Sequence, residues 1–456
     1  MIPRSMFIDR VEELNLLKDI ANSKRPELVI VYGRRRIGKT RLLIEFKKQI
    51  NKKTLYLMAD LSENLLDILA RQINESFVRF QDWEDFYEFL YKSDYDIIII
   101  DEFQYLYKVN KAFPSQFQRW REKIKERNKK IIFCGSIIST IYKISVGYGS
   151  PLYGRKTHEI KINPLKFKYI FEFFPEKDIE DIIKIYSVLG GVPRYLEEFE
   201  PAMDLWENLK NYVLRPSSFL YNEPMNIFFE EFKNPAPYLS ILLAISQGYK
   251  TFNKISTYSR IPVNKLTKYL MVLERLEIIE KEVPVTINRL KSRFTIYKIK
   301  DNFFNFWFKF VYPNKLLLEQ GQYNIVLNKI KNDFNQYLGK VFEDVCKEAL
   351  LELRPISFNK IGKYWDKNVE IDLLGLNEDS KELLGIECKW KDNIDPKKIC
   401  KSLIDKLEYI DWNKNQRREY LAIFAKGFKE KINEFEEHRV FCYDLKDIEN
   451  FIRKQK

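Results

Sequence analysis

Two histidines and five cysteines are all that this chain of 456 residues has for imidazole and thiol chemistry. His158 and His438 lie far apart in sequence, which removes most zinc hydrolases, built on clustered imidazoles, from consideration. Cys134, Cys346, Cys388, Cys400 and Cys442 are scattered and form no CxxC pair. That pattern argues against structural zinc and fits a reducing compartment. The chain also lacks any apolar run of about eighteen residues, the length a membrane-spanning helix needs. Its opening residues, MIPRSMFIDR, lack the apolar core and cleavage site of a secretory leader, so a cytoplasmic protein without membrane partners is expected.

Positive charge, in contrast, is abundant. The formal net charge is +13 and the isoelectric point about 9.1. A basic excess of this size suits polyanionic partners, DNA among them, because neutralised phosphates release condensed counterions. A Lys- and Ile-rich composition with solvated helix faces produces the same excess, so charge alone leaves nucleic acid open. With 45% hydrophobic residues the chain is too long for one core, and about three domains are expected.

Residues 1–165 read as alternating strands and helices. Glu27 to Tyr32, Lys53 to Met58, Tyr95 to Ile100 and Lys130 to Cys134 are short, nearly continuous apolar runs. Such runs suit strands buried on both faces of a parallel sheet, with ligand expected at their carboxyl ends. Residues 166–232 have helical periodicity and are expected to form a helical lid. In residues 233–300, three helical stretches and two extended segments suggest a winged helix-turn-helix. Lys265 and Lys268 lie near the start of its third helix, and Arg289, Lys291 and Arg293 in its wing. These basic residues either meet phosphates, or the module serves as an intramolecular lid. Residues 301–330 read as an aromatic linker, and residues 331–456 as a final α/β unit.

The segment Gly33-Arg34-Arg35-Arg36-Ile37-Gly38-Lys39-Thr40 fits G-x-x-x-x-G-K-[ST] between a strand and a helix. In that context the loop turns backbone N–H groups toward phosphate, Lys39 reaches the β- and γ-phosphates, and Thr40 places its hydroxyl on Mg²⁺. Whether Arg34 to Arg36 add positive potential there or face solvent and contact DNA, spacing leaves open. Four isoleucines end in Asp101-Glu102, so a buried strand delivers two carboxylates to the sheet edge. Asp101 suits the magnesium shell, and Glu102 suits orienting or deprotonating water. The strand ending in Cys134-Gly135 brings Ser136 to where a polar side chain can sense the γ-phosphate.

Asp372 lies in VEIDL, and Glu387-Cys388-Lys389 follows fifteen residues later. On a strand, Glu387 and Lys389 share one face. Asp372 on a paired strand can join Glu387 to hold Mg²⁺, with Lys389 steadying phosphodiester charge. Glu343, in an upstream amphipathic helix, is a further candidate ligand.

These motifs carry a family resemblance. Phe7-Ile8-Asp9-Arg10, GRRRIGKT, IIIIDEFQ, CGSIIST, Tyr153-Gly154-Arg155, GGVPRYL and DNFFNFWFKFVYPN together resemble the archaeal AAA+/STAND-type ATPases that carry a C-terminal nuclease-like domain. The last unit is similar to the PD-(D/E)xK pattern, with Ile371 where that pattern has proline. The resemblance implies an ATP- and Mg²⁺-dependent switch, able to oligomerise, with Arg10 near the nucleotide. It implies Gly191 to Pro193 against the adenine, and Arg155 as a γ-phosphate or finger arginine. The last unit is then a nuclease, a former nuclease that only binds DNA, or a unit that merely packs in an ATP-gated interaction scaffold.

Overall fold

The computed structural model describes residues 7–73, 78–287 and 294–454. The chain divides into two compact units, the first being Met1–Leu165 with Val192–Tyr195 and Ile227–Lys233. The remainder, Lys166–Gly191, Leu196–Asn226 and Asn234–Lys456, forms the second.

In the first unit, β1 (Glu27–Tyr32), β2 (Thr54–Met58), β3 (Ile97–Asp101), β4 (Lys130–Gly135) and β5 (His158–Lys161) form one sheet. Its order is β2-β3-β4-β1-β5, and every pairing is parallel. The residues of β1, β3 and β4 are all buried, as apolar runs between two helical layers must be. The helix Lys39–Gln49 follows β1 and buries Leu42, Leu43 and Phe46. β5, which sequence periodicity does not reveal, has only four residues and one buried position.

In the second unit, helices Ala236–Ser246, Phe252–Ser259 and Val263–Arg275 precede an antiparallel hairpin of β6 (Ile279–Glu282) and β7 (Ile296–Ile299). The expected wing residues Arg289, Lys291 and Arg293 lie outside the described residues. A six-stranded mixed sheet follows, made of β8 (Lys360–Trp365), β9 (Glu370–Asn377), β10 (Glu382–Lys389), β11 (Arg418–Ala425), β12 (Glu434–Phe435) and β13 (His438–Tyr443). Its order is β12-β13-β11-β10-β9-β8. β8, β9 and β10 pair antiparallel, whereas β10, β11 and β13 run parallel. The crossover from β10 to β11 carries the helix Pro396–Leu407, whose Cys400, Leu403 and Leu407 join the core of this sheet.

Three expected boundaries differ from the structure. The stretch expected to be a linker is helical, with Phe303, Phe304, Phe306, Trp307 and Phe308 fully buried. The Trp307 indole N–H donates to the Tyr221 carbonyl at 2.9 Å, satisfying the one polar group that so large a side chain brings into a core. The boundary at residue 331 falls inside one continuous helix, Tyr323–Leu353. Buried Val326, Ile330, Phe334, Tyr337, Val341, Val345 and Ala349 carry one helical stripe through it. Within residues 166–232, the short pieces Val192–Tyr195 and Ile227–Lys233 belong with the first unit and the rest with the second.

Candidate functional site

The loop between β1 and the helix Lys39–Gln49 is held open by two glycines. A Cβ on Gly33 would stand 2.4 Å from the Ile162 carbonyl oxygen, so only glycine admits that approach. Gly38 caps the helix at φ 93°, a left-handed conformation that side chains rarely adopt. Lys39 is buried, and its ammonium donates to the Arg34 carbonyl at 2.9 Å, curling back over the loop. Burial lowers the Lys39 pKa from its ordinary value, against the opposing pull of Cys134, Glu102 and Asp101. A cation short of water in this position is primed for an anion.

The Thr40 hydroxyl donates to Oδ2 of Asp101 at 2.7 Å, and the Tyr56 hydroxyl to the same oxygen at 2.6 Å. The Glu102 backbone N–H meets Oδ1 at 2.9 Å. Asp101 is thus buried yet fully furnished with donors at the end of β3. A hydroxyl and a carboxylate in contact at the lip of a phosphate loop are hard oxygen donors, which fits Mg²⁺.

Glu102, at φ 53°, turns its side chain out of the strand line. Ser136, buried after β4, donates to Oε2 of Glu102 at 2.7 Å, and the Gln104 amide donates to that same oxygen. Arg10 is buried and reaches the site by structure rather than by charge: Nη2 donates to the Asn163 carbonyl at 2.5 Å and to the Ile37 carbonyl at 3.4 Å. It staples the phosphate loop to the segment after β5. Arg35 forms an ion pair with Glu230, while Arg34 and Arg36 are partly exposed. Pro193 opens the short helix Pro193–Leu196 and is partly exposed.

Arg155 is not brought to this loop. It precedes β5, whose first residue pairs with Val29 near the start of β1, whereas the loop follows the other end of that strand. The two positions are separated by about the length of a short strand, roughly 15 Å. Arg155 donates to the Pro151 carbonyl at 3.4 Å and faces Glu122 and Arg121.

In the second unit, β9 and β10 bring Asp372, Glu387 and Lys389 together. Oδ2 of Asp372 accepts from the Cys388 N–H at 2.8 Å and lies 3.3 Å from the Lys389 ammonium, which also pairs with Glu387. Lys406 takes the second oxygen of Glu387 at 2.6 Å. Its two acidic neighbours raise the Lys389 pKa against the lowering effect of burial. Glu343 pairs with Lys363, and burial together with the Asp372 charge raises its pKa. Cys346, one turn along the same helix, meets Cys388, whose side chain points away from the Glu387 face. Glu343 also borders a cavity of about 740 Å³ with Glu280, Glu282, Lys347 and Lys360. Among the described residues no group of three or more His, Cys, Asp or Glu is arranged to hold a metal.

Residues 7–199 match the family described as an ATPase domain predominantly from Archaea, and residues 307–400 match one described as "Archaea bacterial proteins of unknown function". The uncharacterized protein MJECL04 of Methanocaldococcus jannaschii is 39% identical over 455 residues, covering 97% of this chain and 100% of that one. The chain belongs to the family of MJECL04. Another protein of that organism, the uncharacterized ATP-binding protein MJ0423, is 42% identical over 53 residues, 11% of this chain and 90% of its own. Among solved structures, the Walker-type ATPase PABY2304 of Pyrococcus abyssi superimposes with a TM-score of 0.51 at 21% identity. The superposition covers 68% of this chain and 97% of that one. The chain therefore has an α/β core whose parallel sheet resembles that of P-loop ATPases, and a C-terminal sheet domain. Among its described residues no helix is long and apolar enough to cross a membrane.

Gln104, Tyr56, Glu230 and Glu231 were not singled out from sequence. Gln104 had a signal, standing two residues after Glu102 where the chain turns into a helix. Tyr56 and the Glu230-Glu231 pair act across long separations and had none.

Proposed function

We propose that the protein is an ATP-hydrolysing switch that acts on DNA. The observation that carries the ATPase reading is the convergence of Lys39, Thr40, Asp101 and Glu102 at the carboxyl edge of β1 and β3. Lys39 releases the Arg34 carbonyl and takes up the β- and γ-phosphate charge, with the N–H groups of Gly33 to Gly38 around it. Thr40 and Asp101 would hold Mg²⁺, which when bound would neutralise charge developing on the phosphates. Both side-chain donors to Glu102 fall on Oε2, so Oε1 is the atom for water. Ser136 reports on the γ-phosphate because its hydroxyl already engages that carboxylate. Arg10 acts as a positioning residue for the loop, Arg35 exchanges Glu230 for phosphate, and Pro193 packs on the base. Arg155 acts outside its own subunit's site, on a neighbouring copy. The test is phosphate release from MgATP by the purified chain; a protein that binds no nucleotide and releases none defeats the reading.

The DNA part rests on the three helices and hairpin of residues 236–299, read as a winged helix-turn-helix with Lys265 and Lys268 exposed on the third helix. A second activity is favoured by one observation, the meeting of Asp372, Glu387 and Lys389 on paired strands. We read the helix–three-strand–helix–strand order of residues 323–425 as a PD-(D/E)xK nuclease-like fold. Asp372 and Glu387 would hold the ion once Lys389 swings toward the phosphodiester, with Lys406 keeping its hold on Glu387. Plasmid cleavage with Mg²⁺ or Mn²⁺ tests it.

A further inference from the structure

The helix Gln104–Val109 begins two residues after Glu102, and its outer side carries an arrangement that ATP chemistry does not use. The Lys111 ammonium stands 4.4 Å from the centre of the Tyr107 ring, and the Lys143 ammonium 5.4 Å from the same ring. Lys108 stands 5.3 Å from the Tyr105 ring. Tyr105 and Tyr107 pack against the hydrophobic core of the ATPase unit, so the rings are fixed platforms for the cations. Lys111 and Lys143 are exposed, and Lys108 is partly so. Among the described residues, none of the three pairs with a carboxylate. Lys143 comes from a different element, the helical turn Tyr142–Val146 after β4. Two strand ends of the nucleotide site thus deliver like charges to one ring.

Like charges assembled on a rigid surface without acidic partners suit a ligand with regularly repeated negative charge. We propose that Lys108, Lys111 and Lys143 form a sugar-phosphate contact on the ATPase unit, engaging DNA independently of Lys265 and Lys268. The proposal rests on the reading that the protein acts on DNA, and adds a second surface to it. Lys108, Lys111 and Lys143 each take a separate phosphate of the ligand. Because Gln104 of the same helix holds Glu102, the contact lies one helical turn from the proposed water-activating carboxylate.

The salt dependence of DNA binding tests this. Fluorescence anisotropy of a labelled duplex and of its single strand, across a KCl series, gives the slope of log K against log salt. Each phosphate contact contributes about −0.9 on duplex and about −0.7 on single strand. The triple alanine variant at positions 108, 111 and 143 should therefore flatten the slope by about 2.7 on duplex, or about 2.1 if the ligand is single-stranded. The triple arginine variant should keep the wild-type slope, since charge and ring contact remain. If the alanine variant fails to fold, Lys111→Ala alone gives the same comparison at about 0.9. Wild-type protein that binds DNA while the folded alanine variant keeps its full slope overturns this proposal and leaves the DNA reading standing. Wild-type protein that binds neither DNA form overturns both.

Discussion

Ser136 and Glu102, from the ends of neighbouring strands, are joined by a 2.7 Å hydrogen bond from hydroxyl to Oε2. β3 and β4 are paired through Ile100 and Phe133, so this bond closes the gap just past the last shared rung. It fixes the rotamer of a carboxylate that would otherwise swing in solvent. The Gln104 amide meets the same oxygen, so Glu102 is aimed by two donors before any nucleotide arrives.

Replacing Glu102 by Gln keeps one carbonyl oxygen for Ser136 and Gln104 while removing the base. MgATP should still bind and raise the melting temperature as in the wild type, whereas turnover should fall on the order of 10²–10⁴-fold. Steady-state phosphate release alongside a thermal-shift titration measures both. Undiminished turnover would remove Glu102 from the chemistry.

Lys39→Ala separates binding from folding. In the absence of nucleotide the loss is modest, because the hydrogen bond to the Arg34 carbonyl is worth about 1 kcal/mol. Nucleotide stabilises the wild type by about 2.7 kcal/mol at a hundredfold excess over Kd, and this increment should largely vanish in the variant. Equal nucleotide-dependent shifts in both proteins would show that Lys39 does not meet the phosphates.

The contrast between the two sites explains how much sequence alone revealed. The phosphate loop and Asp101-Glu102 are legible because each depends on local order: a buried strand, glycines, then a helix start. Ser136 follows from the strand end it stands on, though its bond to Glu102, 34 residues away, does not, and Arg10 needed the family resemblance as well, since its partner Asn163 lies 153 residues away. Arg155 was read by analogy as a γ-phosphate or finger arginine, and the turn before β5 holds it near the amino ends of the strands, away from its own phosphate loop. Asp372, Glu387 and Lys389 follow from strand alternation and do meet. Glu343 was assigned by helix pattern, which brings it within reach of the Asp372 charge but does not show that Lys363 pairs with it.

Asp372→Ala removes the carboxylate that ties Lys389 to the Cys388 backbone. If the second unit cleaves DNA, metal-dependent nicking of plasmid should fall by about 10²-fold or more, while ATP hydrolysis is unaffected. Nicking that survives the substitution assigns the cleavage elsewhere. Lys406→Ala sharpens the result. Lys406 holds Glu387 rather than the proposed substrate, so its loss should alter the metal concentration needed more than the maximal rate.

Glu231 gives a prediction about pH. Its carboxylate accepts the backbone N–H groups of Ile138 and Ser139 at 2.9 and 3.1 Å, capping the turn that follows Ser136. Burial raises its pKa above the ordinary carboxylate value and Glu230 adds to this, while the bonds from Ser139 and Ile138 oppose it. A carboxyl that holds its proton more tightly when folded binds more protons in the native state than in the unfolded one. Its contribution is therefore fully present below the unfolded carboxylate pKa and is lost as pH rises through the folded value. Glu231→Gln cannot titrate and presents an amide to one backbone donor, which should cost about 1 kcal/mol. The stability gap between wild type and variant, read from urea midpoints in mildly acidic to neutral buffers, should narrow as pH rises. A gap that widens instead would mean that the ionised carboxylate is the form the fold prefers, with the two N–H bonds outweighing burial.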